Sequence, residues 1–230
     1  MMTDETGLAE RLNTGLGLCA LEARVDLDLA PVAAELGAAA DFFQTVLHAV
    51  HDVNRRDPEN ARIAVAFPGL RPRASGWYAF GDRVRLFGAE PLLARVIATD
   101  RIETAVRRGL VDRQPRVFGV SVNAGVPGTA FVRARAGARV TEGELRRKIA
   151  RHTRKGWDTR ALEANLAKVT PESVARAEAR ALHITMGPRQ LSFEPVACAV
   201  PARVEVSTYG FSNASAPGGL PVRPGGGIDG

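Results

Sequence analysis

The chain has 230 residues, of which 45% are hydrophobic, and its formal net charge is +6. This length suits one large domain or two small ones. No run of about 18 apolar residues occurs, which argues against a membrane span. A secretory signal would have a basic segment followed by an apolar stretch, and the first residues do not show this pattern. Neither Cys19 nor Cys198 has a Cys or His neighbour at the spacing typical of metal ligands. We therefore expect neither a metal site nor a cofactor. The sequence predicts a cytoplasmic protein without a membrane partner.

Residues 22–123 are predicted to alternate strands and helices in the order βαββαβ. Strands are expected at Ala23–Leu29, Arg62–Phe67, Arg83–Phe87 and Arg116–Val122, where apolar residues alternate or are β-branched. Helices are expected at Val32–Val53, Ala89–Ile97 and Arg101–Leu110, where apolar residues recur at helical spacing. This order predicts a ferredoxin-like N-terminal domain.

Residues 130–213 are predicted to form a second domain, so that the whole chain is of the α+β class. It would contain an arginine-rich helix and a small antiparallel sheet. Its strands are expected at Phe131–Arg135, His183–Met186, Gln190–Val200 and Arg203–Thr208, and further helical stretches at Thr159–Val169 and Glu172–Leu182. The tail 214–230 is dominated by Gly and Pro and is predicted to be disordered.

The positive charge is concentrated in one segment. Residues 130–160 have ten basic and three acidic side chains, a net +7, so the rest of the chain is close to neutral. Within it, Glu142–Lys155 is predicted to be a helix that opens with a capping box at Thr141 and Glu144. Like charges at i,i+4 repel each other in the isolated helix, but a bound polyanion makes the same charges favourable. The segment therefore predicts binding to nucleic acid, and to structured RNA in particular.

Four stretches, in order along the chain, resemble a known family. They are Val46-Leu47-His48 in the first helix, the strand Arg62–Phe67 ending in Phe-Pro, the arginine-bearing segment Phe131–Lys155, and Ser207-Thr-Tyr-Gly-Phe-Ser-Asn213. Together they are similar to the CRISPR repeat-processing endoribonucleases of the type I-F system, the Csy-type branch that cleaves RNA hairpins. A variant of that branch or a type IV relative shares the likeness.

The resemblance implies a specific activity. The enzyme would bind the stem-loop of CRISPR repeat RNA and cleave precursor crRNA on its 3′ side, with the RNA's own 2′-OH as nucleophile and without metal. It would then remain on the crRNA with the other subunits of a multisubunit interference complex. The residues implied in RNA binding are Arg133, Arg135, Arg139, Arg146, Arg147, Lys148, Arg151, His152, Arg154 and Lys155.

The resemblance also implies the catalytic residues. Its histidine maps to His48, and its active-site tyrosine to Tyr209. His51 lies one turn after His48 and is a rival, since residues at i,i+3 share a helix face. The family's active-site serine has no match in place, where Thr185 or Ser192 would have to substitute. Phe193 would either stack on the terminal base pair or pack in the core.

Three other functions remain open from the sequence alone. A type IV processing nuclease would use arginine in place of histidine. A non-catalytic subunit would bind the hairpin and yield no product. A small ferredoxin-like DNA-binding protein would hold duplex DNA as tightly as the RNA hairpin, which the groove shape and 2′-OH groups of RNA argue against.

Overall fold

The computed structural model describes residues 15–57, 61–72, 78–133, 142–167, 169–170, 182–186 and 189–222. Over these ranges the chain forms a mixed α+β fold with several antiparallel sheets and six helices. The α+β class expected from the sequence is therefore confirmed.

The elements follow one another as strands β1–β11 and helices α1–α6. In chain order they are β1 (Leu16–Ala20), β2 (Ala23–Asp28), α1 (Pro31–Glu35), α2 (Ala39–Arg56), β3 (Ala64–Ala66), β4 (Arg71–Pro72), β5 (Tyr78–Ala79), β6 (Arg83–Gly88), α3 (Glu90–Ile97), α4 (Asp100–Arg107), β7 (Val117–Gly119), β8 (Pro127–Arg133), α5 (Glu142–Arg154), α6 (Arg160–Ala167), β9 (Leu182–Met186), β10 (Arg189–Ala199) and β11 (Arg203–Ser207).

The largest sheet is antiparallel, with the strand order β3-β6-β2-β7. Each of the four strands predicted in residues 22–123 contains one of its members. Alternation along β2 sends Val25 and Leu27 into the core, as expected for a strand with one buried face. The opposite face is held by cross-strand ion pairs, among them Arg85 Nε to Asp26 Oδ1 at 2.6 Å.

The helix predicted at Val32–Val53 is divided in two. Gly37 adopts a positive φ of 77°, and its N–H donates to the carbonyl oxygen of Ala34, while the N–H of Ala38 donates to that of Ala33. This is the Schellman arrangement that ends a helix at a glycine. A short α1 therefore stops at Glu35, and α2 starts afresh at Ala39 and continues to Arg56.

Two further sheets form the second half of the molecule. β10 lies between β8 and β9 in an antiparallel sheet, and β11 pairs with β1 from Leu16↔Ser207 to Ala20↔Arg203. The sequence did not predict β1, because Gly15-Leu16-Gly17-Leu18 has the composition of a loop. The first described strand thus pairs with the last one.

A continuous hydrophobic core joins the two predicted halves. Phe67, which follows β3, stacks on Phe193 of β10, with ring centroids 5.0 Å apart and planes at 15°. Phe193 also stacks on Phe211, after β11, at 4.9 Å, and Phe67 meets Phe131 of β8 edge-on at 5.2 Å. Such aromatic pairs add to the free energy of area burial, so the ranges 22–123 and 130–213 share one packed junction.

Part of the tail predicted to be disordered is ordered instead. The N–H of Leu220 donates to the carbonyl oxygen of Thr129 at 2.9 Å, and the N–H of Thr129 donates back at 3.0 Å. Leu220 and Val222 are buried in the core. Burial of these two apolar residues anchors 214–222 against β8, whereas the rest of the tail lies outside the described residues. A Gly/Pro-rich composition alone does not reveal two such anchors.

No helix in the described part of the chain is both long enough and apolar enough to span a membrane.

Candidate functional site

A histidine and a tyrosine from opposite ends of the chain meet beside α2. The imidazole of His51 stacks on the phenol ring of Tyr209, with centroids 4.2 Å apart and planes at 11°. His51 lies in the fourth turn of α2, and Tyr209 follows β11. Within the described residues, the buried Nδ1 atom of His51 has no hydrogen-bond partner. The stack fixes the plane of the imidazole.

His48 and His51 are both half-buried on α2. Among the described residues, Tyr209 stacks on His51 and makes no ring contact with His48. The position of the tyrosine therefore favours His51 over His48 as the residue that corresponds to the family's histidine. The sequence assigned the catalytic role to His48 with His51 as its rival. The geometry brings the rival to the tyrosine and leaves His48 one turn before it.

The position of Tyr209 is set by a buried side chain of the same helix. Asn54, fully buried, donates from Nδ2 to the carbonyl oxygens of Ile63 and Thr208, both at 3.1 Å. Its Oδ1 accepts from the N–H of Ile63 at 2.8 Å. The side-chain amide of Asn54 therefore connects α2 to Ile63, just before β3, and to Thr208, the residue before Tyr209. In the sequence, Asn54 is distinguished only as a polar residue on the apolar face of a helix, which does not predict this role.

Gly210 completes the turn that holds Tyr209. It adopts a φ of +79°, and a Cβ at this position would lie 2.6 Å from Cγ2 of Val65 and 2.8 Å from the carbonyl oxygen of Ile63. The carbonyl oxygen of Gly210 accepts from the N–H of Val65 at 2.9 Å. Both the conformation and the close approach require glycine. The Tyr-Gly pair is thus a tight connection between the end of β11 and β3.

We expect Asn54→Ala to lower the free energy of unfolding by about 3–5 kcal/mol, because it leaves two buried backbone groups of Ile63 and the partly buried carbonyl of Thr208 without a partner. Urea denaturation measures this loss. Asn213→Ala is the matched control, since Asn213 lies near the same turn but is only partly buried, with a 2.6 Å bond to Glu205; its loss should be about 1 kcal/mol or less. Equal losses for the two variants would contradict the role given to Asn54.

The surroundings of the two histidines favour their neutral forms. Burial lowers the pKa of both below the ordinary value. For His48, Arg101 lowers the pKa further and Asp52 raises it. For His51, Asp52 raises the pKa, while Arg55 and His48 lower it. A neutral imidazole near pH 7 is able to accept a proton, as a general base must.

The two residues that would replace the family's serine, Thr185 and Ser192, belong to neighbouring strands. β9 runs beside α2, with Cα atoms within 8 Å. In the sheet register, Thr185 of β9 pairs with Gln190, and Ser192 of β10 pairs with His183 of β9. The side chains of Thr185 and Ser192 lie outside the described residues. Phe193 is fully buried among other phenylalanines, so it packs in the core and does not stack on a base pair.

The arginine-rich helix predicted from the sequence is α5. Leu145 is buried and Ile149 is half-buried, which gives the narrow apolar stripe expected. α5 packs against α6, and no described side chain of α6 is buried, so this pair of helices presents most of its surface to solvent. Lys148 and His152 are half-buried, and the exposed basic residues are Arg146, Arg147, Arg151, Arg154 and Lys155.

An ion pair offsets one of the positive charges of α5. Arg146 pairs with Glu142 one turn before it at 2.5 Å, but both are exposed, and such pairs contribute little. Arg133 is exposed at the end of β8. Arg135 and Arg139 lie outside the described residues. Exposed cations on a solvent-facing helix are suited to bind phosphate groups.

An aromatic residue, Trp157, follows the end of α5. Gly156 has a φ of +67°, and its N–H donates to the carbonyl oxygen of Thr153, while the N–H of Trp157 donates to that of His152. This Schellman arrangement fixes the backbone of Trp157. Its signal in the sequence was Gly-Trp directly after a basic helix.

Comparisons with known proteins do not identify a family. No protein-family model matches the chain, and no curated protein matches it significantly.

Proposed function

We propose that this protein is a sequence- and structure-specific endoribonuclease that processes CRISPR RNA. It binds the stem-loop of the repeat, cleaves precursor crRNA on the 3′ side without metal, and stays on the product in an interference complex. The observation that carries the proposal is the stack of His51 on Tyr209. It brings Tyr209, in the last of the four stretches that resemble the type I-F family, against α2 one turn after His48 of the first stretch.

The topology supports the proposed family. We take the strand order β3-β6-β2-β7, with α2 between β2 and β3 and α3 and α4 between β6 and β7, as support for the proposed ferredoxin-like domain. Repeat-processing nucleases of this kind are built on such domains, but the fold serves many functions. The functional assignment therefore rests on the site.

The proposed reaction is an internal transfer. The 2′-oxygen of the nucleotide before the cut forms a bond to phosphorus as the bond from phosphorus to the 5′-oxygen breaks. The products are a 2′,3′-cyclic phosphate and a 5′-hydroxyl. Neutral His51 accepts the 2′-hydroxyl proton, and the leaving 5′-oxygen takes a proton from solvent or from the imidazolium so formed. Tyr209 positions the imidazole through the stack.

In this proposal, RNA binding and RNA cleavage are assigned to different parts of the molecule. Exposed cations of α5 neutralise phosphates of the stem, which supplies affinity that depends on salt. Arginine also forms bidentate hydrogen bonds to guanine edges, which supplies sequence preference. The histidine and tyrosine supply the cleavage.

The test uses a library of short RNAs with a randomised stem-loop, incubated with the full chain in EDTA. We expect a subset to bind and to be cut once at the 3′ side of the stem, leaving a cyclic phosphate. A 2′-deoxynucleotide before the cut should abolish cleavage and leave binding intact, since it removes the nucleophile alone.

Other outcomes would assign another function. Tight, salt-dependent binding without product would identify a non-catalytic hairpin-binding subunit. Cleavage that survives replacement of both His48 and His51 would favour the arginine mechanism of a type IV relative. Equal affinity for duplex DNA would contradict the choice of RNA.

A further inference from the structure

Trp157 stands out among the aromatic side chains of the described residues because it is 54% exposed. The other exposed aromatic residue there is Phe118, in the edge strand β7. A single exposed apolar side chain is common on protein surfaces, so the groups around Trp157 have to show whether it marks a contact site. Trp157 lies directly after the helix with the largest positive charge in the chain.

The indole is held in a defined orientation. Its backbone is fixed by the helix-ending hydrogen bonds of Gly156 and Trp157. The imidazole of His152 meets the indole edge-on, with centroids 5.0 Å apart and planes at 87°. Lys155 places Nζ 4.5 Å from the ring centroid, a cation–π geometry. These contacts restrict the ring without burying it.

The charges around the ring indicate the partner. Arg151, Arg154, Lys155 and Arg160 are all exposed, and Asp158 is the acidic residue next to the ring in sequence. An exposed indole with Lys155 over its ring, and with further exposed cations close by in sequence, fits a ligand that combines a flat π-system with phosphate. An unpaired nucleotide has both parts, and single-stranded nucleic acid is held by this combination of stacking and charge. A base inside a helical stem is already stacked on its neighbours and offers no free face.

We propose that Trp157 is a stacking platform for an unpaired nucleotide that adjoins the stem held by α5. The base lies against the free surface of the indole, and Lys155 and Arg154 contact the phosphates on either side of it. This inference rests on the proposed function, because it requires that α5 bind RNA. It adds the requirement for a single-stranded nucleotide beside the stem.

The test exploits the tryptophan content of the chain. Trp77 and Trp157 are its two tryptophans, so Trp77→Phe makes the fluorescence report on Trp157 alone. The probes are one stem-loop recovered from the randomised library, the same stem with its flanking nucleotides removed, and the same stem with its loop replaced by a stable tetraloop. We expect quenching to saturate together with binding for the RNA that has the critical unpaired nucleotide, and to fall sharply when that nucleotide is removed.

The affinity should follow the fluorescence. Trp157→Ala should weaken binding of that RNA by about tenfold to a hundredfold, with little effect on the RNA that lacks the nucleotide. Trp157→Phe should recover most of the affinity, because a phenyl ring still stacks, and this variant also controls for misfolding. If the stem binds but neither quenches Trp157 nor responds to its replacement, the platform is refuted while the RNA-binding function stands. Failure of every library member to bind would overturn both.

Discussion

His51→Ala should reduce the rate of hairpin cleavage by about 10²- to 10⁴-fold, the range that general acid–base groups contribute. Its affinity for the hairpin should stay close to that of the wild type, because His51 lies on α2 and the cations assigned to binding lie on α5. Single-turnover cleavage of a labelled stem-loop and a filter-binding titration measure the two quantities. A variant that binds normally and cuts slowly is the signature of a lost catalytic group.

His48→Ala is the matched control, since it removes the same side chain one turn away on the same helix. We expect less than a tenfold reduction in rate, an order-of-magnitude limit set by the general acid–base range. An inactive His48 variant beside an active His51 variant would restore the assignment made from the sequence. Tyr209→Phe keeps the stacked ring and should retain more activity than Tyr209→Ala, which removes it.

The pH profile tests the same assignment independently. Because burial lowers the pKa of His51, the rate should rise with pH through a value below the ordinary 6.5 and level off above it. Arg55→Gln removes a positive charge that lowers this pKa, so the rise should move to higher pH by about half a unit or less. Arg101 lowers the pKa of His48; a shift with Arg101→Gln but not with Arg55→Gln would point to His48 as the base.

The local pattern of the sequence predicted much of the fold, because its strands and helices have regular periods. β2 and β6 alternate cleanly, and α2 and α5 have recognisable apolar stripes. The break at Gly37 was not predicted, since the apolar period continues across it and only a positive φ reveals the helix end. β1 was not predicted because its glycines are unfavourable in a strand, and the strand is stabilised by pairing with β11, which is distant in sequence.

The candidate site depended on contacts that periodicity does not encode. His48 and His51 share a face of one helix, so the sequence offers no local reason to choose between them. The choice comes from Tyr209, which the buried amide of Asn54 and the tight turn at Gly210 bring against His51. The basic helix itself could be predicted because its apolar spacing and its charge are local properties of the sequence. Trp157 was overlooked because its significance depends on the geometry of the helix end.

The second large effect is expected from the exposed face of α5. Each lost phosphate contact should reduce the affinity by roughly a factor of ten. Replacement of Arg147, Arg151 and Arg154 by Gln should therefore weaken hairpin binding by about a thousandfold. The slope of log K against log salt should become shallower by about two to three. Titrations at several salt concentrations measure both effects.

The control removes the same charge from the other half of the chain. Arg107, Arg108 and Arg113 are also exposed, and their replacement by Gln changes the net charge by the same amount. If affinity follows only the overall charge, the two triple variants will weaken binding equally, and α5 will have no special part in holding RNA. If α5 is the binding helix, the control should retain nearly full affinity.

Stability separates a binding role from a structural one. Arg147 and Arg151 lie one turn apart on α5, as do Arg151 and Lys155, and like charges at this spacing repel by a few tenths of a kcal/mol each. The α5 variant should therefore be at least as stable as the wild type while binding RNA far more weakly. A solvated face without a ligand would not require such a cluster, whereas a surface that binds phosphates tolerates this repulsion in the free protein because the RNA reverses it.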